Sequence, residues 1–171
     1  MKKIIHLTLF LAIVSAIAGG ALAYANQLTA PIIKANEEAT EKASLLELYP
    51  GSVVEDFTAV DYDGDSKTIQ KIYLYKDEAY VFSMAVSGYS EGTTFLVAID
   101  MDGTVAAYKG MSNGDTSGLG SRVLDDKTFI NGLIGKDASG QLDTISGATR
   151  SSQPVVNGIN EAANVCKQLT E

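Results

Sequence analysis

An uncharged run from Ile4 to Ala25 constrains this chain more than any other feature. As a helix rising about 1.5 Å per residue it would extend roughly 33 Å, enough to cross the hydrocarbon of a bilayer. Lys2 and Lys3 precede the run, and Glu37, Glu38 and Glu41 follow it. The positive-inside rule then keeps the short N-terminus in the cytoplasm and exports the body. The expectation is a single-pass protein of the cell (inner) membrane with an extracytoplasmic C-terminal domain. A cleaved signal peptide competes with this reading, because Ala21-Leu22-Ala23 and Ala23-Tyr24-Ala25 both offer a small-x-small cleavage pattern. Against cleavage, the run exceeds the roughly 7–15 residues of an ordinary signal core.

At 171 residues the chain has room for one ordinary domain plus an appendage. Two of its 13 lysines and arginines precede the run, so the body carries 11 basic against 21 acidic residues, a net charge near −10. Such a field repels nucleic acid and anionic lipid heads. The one histidine, His6, lies inside the apolar run. Ser-His-Asp catalysis and a histidine-rich metal site are therefore excluded for the body, and neither a catalytic residue nor a metal ligand is nominated. Cys166 is alone, so no internal disulfide forms. With Val155, Ile159, Ala162 and Leu169 it falls on an apolar helical stripe, the setting of a buried structural thiol.

Beyond the run, Leu28-Thr29-Ala30-Pro31 precedes Ile32, Ile33, Ala39, Ala43 and Leu46 at near-helical spacing, stopped by Pro50-Gly51. This predicts a connecting helix that begins anew around Pro31. From Val53 the period shifts toward two: Ile72 and Leu74, then Tyr80, Phe82, Met84 and Val86, then Phe95, Val97 and Ile99. At least four antiparallel strands are expected, with Asp102-Gly103 as a hairpin turn. Asn113 to Arg122 is rich in Gly, Ser and Asp and reads as a loop, and Phe129, Leu133 and Ile134 suggest a short helix ending near Gly135. Gln153 to Leu169 closes the chain as an amphipathic helix with Ser151 or Ser152 as N-cap and Pro154 in its first turn. The predicted fold class is α+β, an antiparallel sheet with flanking helices preceded by one N-terminal transmembrane helix. Its divisions are an anchor over 1–27, a connecting helix over 28–52 and an extracytoplasmic domain over 53–171.

Two stretches invite chemistry. Asp61-Tyr62-Asp63-Gly64-Asp65 has the look of a calcium loop, but the sixth and twelfth positions hold Ser66 and Ile72 where an EF-hand needs Gly and Glu. A solvated acidic turn is the better reading. The second is Asp143-Thr144-Ile145-Ser146-Gly147-Ala148-Thr149-Arg150-Ser151-Ser152, set immediately before the last helix. Its small residues permit close backbone approach, and its hydroxyls sit where the amides of a helix N-terminus favour a phosphate. Alone, Ser-Gly-Ala-Thr is better read as a strand-to-helix turn with a capping hydroxyl.

It does not stand alone. Asp-x-x-Ser-Gly-Ala-Thr resembles the flavinylation motif of the FMN-binding domain family, whose final threonine is esterified to the phosphate of flavin mononucleotide (FMN). Three further stretches follow the order of the G subunit of the Rnf complex, an ion-pumping ferredoxin:NAD oxidoreductase, and of the C subunit of the sodium-pumping NADH:quinone reductase. They are the N-terminal helix running into Leu28-Thr29-Ala30-Pro31-Ile32, the Gly118-Leu119-Gly120-Ser121 loop and the Ser151–Ala162 helix start. The short length with one membrane helix looks more like the Rnf G subunit.

The resemblance implies a covalent FMN on Thr149, with Ser146, Gly147, Ala148, Ser151 and Ser152 around the phosphate and the flavin ring near Gly118, Leu119, Gly120 and Ser121. It implies an electron-carrying subunit of an oxidoreductase complex rather than an enzyme alone, with the other Rnf-type membrane subunits as partners. A flavin transferase that uses FAD and a divalent cation would make the bond, with Asp143 in its recognition sequence. One departure stands out: the family commonly shows a His- and Glu-containing stretch ending in Thr-Pro before Gly-Leu-Gly, and this chain has Ser112-Asn113-Gly114-Asp115-Thr116-Ser117, where Asp115 is the candidate acidic group. The same motif would also serve a free-standing exported or membrane-anchored flavoprotein for extracellular electron transfer. A pilin-like structural protein is the reading from another class. Pro31 and the lack of an acidic residue in the apolar run speak against it.

Overall fold

The computed structural model describes residues 2–62, 64–89 and 92–170. Its elements are helix α1 (Lys2–Leu48), strands β1 (Phe57–Val60), β2 (Ile69–Tyr75), β3 (Ala79–Ser87), β4 (Gly92–Asp100) and β5 (Val105–Asn113), helix α2 (Lys127–Leu133) and helix α3 (Thr149–Thr170). Short 3-10 turns cover Val54–Asp56 and Gly120–Leu124. The chain forms two compact units, one ending at Glu41 and one from Lys42 onward.

In the first unit the uncharged Ile4–Ala25 run of α1 carries apolar side chains all round the helix. Ile4, Leu7, Phe10, Leu11 and Ile17 are all exposed, and in water each would forgo about 1.5–3 kcal/mol of burial. The helix is long and apolar enough to cross a membrane, where that exposure costs nothing. Two of its hydroxyls are satisfied within the helix: Thr8 Oγ1 donates to the Ile4 carbonyl at 2.9 Å and Thr29 Oγ1 to the Ala25 carbonyl at 3.0 Å. Helical continuity corrects the expected restart at Pro31. Pro31 lies inside α1, at the loss of one main-chain hydrogen bond, and so no longer counts against a pilin-like helix.

The second unit is a five-stranded antiparallel meander in the order β1-β2-β3-β4-β5. Asp102-Gly103 makes the β4–β5 turn as expected: Gly103 has φ +87°, and Asp102 Oδ1 accepts the Thr104 amide at 2.9 Å. Both faces of the sheet are covered. Tyr80, Phe82, Met84, Phe95, Val97 and Ile99 join one core with Val155, Ile159, Ala162 and Cys166 of α3. Val81, Leu96 and Ala98 face the other way, with Leu45 from the last turns of α1 and Phe57. This double cover explains why β3 and β4 are buried almost throughout rather than at alternate positions. Burial also pushes the Cys166 thiol above its ordinary range, as suits a structural cysteine.

The last helix corrects its predicted start. It begins at Thr149, so Ser151 and Ser152 lie in its first turn rather than at the cap, and Pro154 falls beyond that turn. On the neighbouring side, the buried Tyr108 hydroxyl donates to the Val123 carbonyl at 2.9 Å and ties the Gly120–Leu124 turn to β5.

Candidate functional site

The geometry of the Ser146–Thr149 stretch follows from three small residues. Ala148 donates its amide to the Ile145 carbonyl at 2.9 Å, closing a turn whose third residue, Gly147, has φ +80°. A side chain there would be strained, which is why glycine occupies it. Ile145 and Ala148 tuck into the core, leaving Ser146, Gly147 and Thr149 exposed. Ser152 clasps the whole turn. Its fully buried hydroxyl donates to the Ala148 carbonyl at 3.1 Å and accepts the Ile145 amide at 3.0 Å. Ser151 and Ser152 also donate their amides to the Ala148 carbonyl, both at 3.0 Å. The amides of Thr149 and Arg150 remain as the opening donors of α3, which have no acceptor within a helix.

The Gly118–Ser121 loop lies beside that helix start. Ser121 Oγ accepts the Gly118 amide at 2.9 Å. Gly120 is buried so tightly that a Cβ would sit 2.4 Å from Asp115 Cβ and 2.6 Å from Ser151 Oγ. Its missing side chain therefore serves the packing of loop against helix. Arg122 bridges the two stretches: its Nε donates to Asp126 Oδ2 at 2.9 Å and its Nη1 to the Ser146 carbonyl at 3.4 Å. The Arg122 guanidinium, followed by the Phe129 amide, holds the Asp126 carboxyl below the usual carboxylate range.

A cleft of about 510 Å³ is lined by Leu119 and Gly120 of the loop, by Gly147, Ala148, Thr149, Arg150 and Ser151 of the turn and helix start, and by Tyr89, Asp115 and Thr116. Asp115, only 9% exposed, accepts the Tyr89 amide on Oδ2 at 3.1 Å and donates its own amide to Asn113 Oδ1 at 2.9 Å. It thus ties the β3–β4 connection to the loop that follows β5. The Arg150 guanidinium lies 5.2 Å from the centre of the Tyr89 ring.

Of the residues nominated from sequence, Leu119, Gly120, Gly147, Ala148, Thr149 and Ser151 line this cleft together. Ser146, Ser152, Gly118 and Ser121 brace it through the bonds just described, without lining it. Asp143 is exposed on the segment leading into the turn and lies outside the lining. Sequence reasoning missed Tyr89, Thr116 and Arg150. Only Tyr89 carried a signal, as a lone aromatic in the Gly-rich connection Gly88–Gly92. Asp63 of the acidic turn lies outside the described residues; among the described residues no three His, Cys, Asp or Glu side chains gather as metal ligands.

The cleft fits a flavin nucleotide on its own terms. Its volume is that of a cofactor site, roughly 300–1,000 Å³. The opening amides of α3 and the positive end of its dipole favour a phosphate beside the exposed Thr149. The Tyr89 ring and the Arg150 guanidinium also line the cleft.

Comparison with known proteins agrees with that fit. Residues 88–164 match the FMN-binding domain and residues 1–48 the RnfG N-terminal region. The chain is similar to the G subunit of the Na(+)-translocating ferredoxin:NAD(+) oxidoreductase complex of Acetobacterium woodii, 25% identical over 99% of this chain and 95% of that one. It is also similar to the G subunit of the ion-translocating oxidoreductase complex of Methanosarcina acetivorans, 27% identical over 95% of this chain and 94% of that one. The protein of the same name in Escherichia coli O157:H7 is 26% identical over 94% of this chain and 90% of that one.

Proposed function

We propose, from the match of residues 88–164 to the FMN-binding domain and of residues 1–48 to the RnfG N-terminal region, that the chain is the FMN-carrying electron-transfer subunit of a membrane-bound, ion-translocating oxidoreductase of the Rnf type. The FMN is held by a phosphoester to Thr149. The observation that carries this reading is the position of Thr149, exposed at the N-terminus of α3 and lining the cleft together with Leu119 and Gly120.

Bound FMN supplies one- and two-electron redox chemistry. The chain's own residues hold and orient it. The α3 amides and dipole stabilise the phosphoester charge, Gly147 brings the backbone close, and the Arg122 bridge keeps turn and loop at fixed separation. A flavin transferase would recognise Asp143 with the Ser-Gly-Ala-Thr turn. In that transfer the Thr149 oxygen would bond to the FMN phosphorus as the pyrophosphate bond of FAD breaks, with AMP as leaving group and the threonine's proton passing to solvent. A tether suits a domain outside the membrane, where a dissociating flavin would be lost by dilution. In this arrangement α1 anchors the protein with its N-terminus in the cytoplasm, and the partners are the other membrane subunits of the complex.

The test is co-production with an active flavin transferase. A yellow protein whose fluorescent band survives denaturing electrophoresis supports the reading. A colourless chain made beside a transferase that labels a control substrate contradicts it.

A further inference from the structure

The flavin reading leaves one pair of cleft residues without a task. Tyr89 is a large aromatic left 61% exposed in the connection between β3 and β4, although its backbone is pinned to the buried Asp115 carboxylate at 3.1 Å. Arg150, beside the attachment residue, extends its guanidinium over that ring. In a chain of net charge −8, an arginine would ordinarily settle on a carboxylate. Among the described residues Arg150 makes no ion pair, and its contact is the Tyr89 face. The result is an aromatic ring with a cation on it in the lining of a cleft that Leu119 also lines.

We propose that Tyr89 and Arg150 form the wall that contacts the isoalloxazine ring, Tyr89 by stacking on its face and Arg150 by placing a positive charge beside it. The inference rests on the flavin reading and adds ring contacts to it. The chemistry suits both halves of the pair. A planar, electron-poor ring stacks on a phenol, and a ring that gains negative charge on reduction is stabilised by a nearby guanidinium, which raises its potential. A phosphate held at Thr149 leaves the ring at the far end of the ribityl chain, and the long Arg150 side chain reaches from beside the attachment point to Tyr89 on the β3–β4 connection, a segment remote in sequence.

The test uses the full-length chain co-produced with a flavin transferase, in three variants: Tyr89→Leu, Arg150→Gln and Arg150→Lys. Covalent flavin per chain is read first, then flavin fluorescence before and after unfolding, then the midpoint potential. The chain contains no tryptophan, so quenching by a stacked aromatic falls to tyrosine. Y89L should load like the parent and fluoresce several-fold more brightly when folded, with the difference vanishing on unfolding. R150Q should lower the potential while R150K preserves it. Normal loading with fluorescence unchanged in Y89L and potential unchanged in R150Q would overturn the proposal. A variant that fails to load where the parent loads also counts against it, because neither side chain is assigned to the phosphoester. A parent chain that takes up no covalent flavin removes the flavin reading itself, and the ring wall with it.

Discussion

The Ser152 hydroxyl accepts the Ile145 amide hydrogen at 3.0 Å, joining residues seven positions apart across the turn that presents Thr149. Both partners are buried, so Ser152→Ala would strand the Ile145 N–H away from water, at about 1–3 kcal/mol. The turn would loosen with it. A lower thermal midpoint together with reduced, though not abolished, flavin attachment is expected. Unchanged melting would show that the clasp is dispensable.

Gly120 and Gly118 separate two reasons for glycine in one loop. A methyl at Gly120 collides with Asp115 and Ser151, whereas at Gly118 there is open space and the constraint is φ +78°. Gly118→Ala should cost roughly 1–2 kcal/mol of backbone strain. Gly120→Ala should destabilise by about 1–3 kcal/mol through overpacking and also push the loop from the start of α3. Denaturant titration gives the stabilities, and flavin fluorescence reports the displaced loop. A perturbed flavin in G118A with an undisturbed one in G120A would reverse this assignment.

The Arg122–Asp126 bridge predicts an acid-sensitive loop. The Asp126 carboxyl titrates lower in the folded chain than when unfolded, so its contribution is present above the ordinary carboxylate pKa, about 3.9. It is lost as pH falls from there through the folded value. Asp126→Asn keeps an acceptor for the Thr128 and Phe129 amides but removes the charge. Stability of the variant, followed by denaturant midpoint against pH, should fall less than that of the parent across this window. Parallel curves would remove Asp126 as a contributor.

Much of this architecture was legible in the sequence because the residues that carry it repeat. Alternation along Tyr80–Val86 and Phe95–Ile99 marks the face of the sheet that packs on α3, and the Val155–Cys166 stripe marks the matching face of the helix. The second face was less visible, since the Leu45 cover comes from the end of a helix whose pattern is dominated by its apolar start. The start of α3 was misplaced because serines at a helix entrance ordinarily cap, while here Ser152 reaches back to Ile145 from within the first turn. Pro31 misled in the same way, by a local rule that the long helix overrides. The Ser-Gly-Ala-Thr turn and the Gly118 loop were recognisable as motifs, but Tyr89 meets Arg150 only through the fold, and no local pattern encodes that contact.

Membrane topology has its own expected outcome. Protease added outside cells with permeable walls should degrade the region after Gln27 and spare only the short N-terminal part. A mature chain beginning at Tyr24 or Asn26 would instead establish a cleaved signal.

The central claim is the bond at Thr149, and peptide mass spectrometry reads it directly. Trypsin cuts after Lys136 and Arg150, releasing residues 137–150 with Thr149 as the penultimate position. For chain co-produced with a flavin transferase, fragmentation of that peptide should place an FMN phosphoester on Thr149, and Thr149→Val should lose the adduct while remaining folded. Retention of the flavin in the valine variant, or an adduct on Ser146, Ser151 or Ser152 in the parent, would contradict the account.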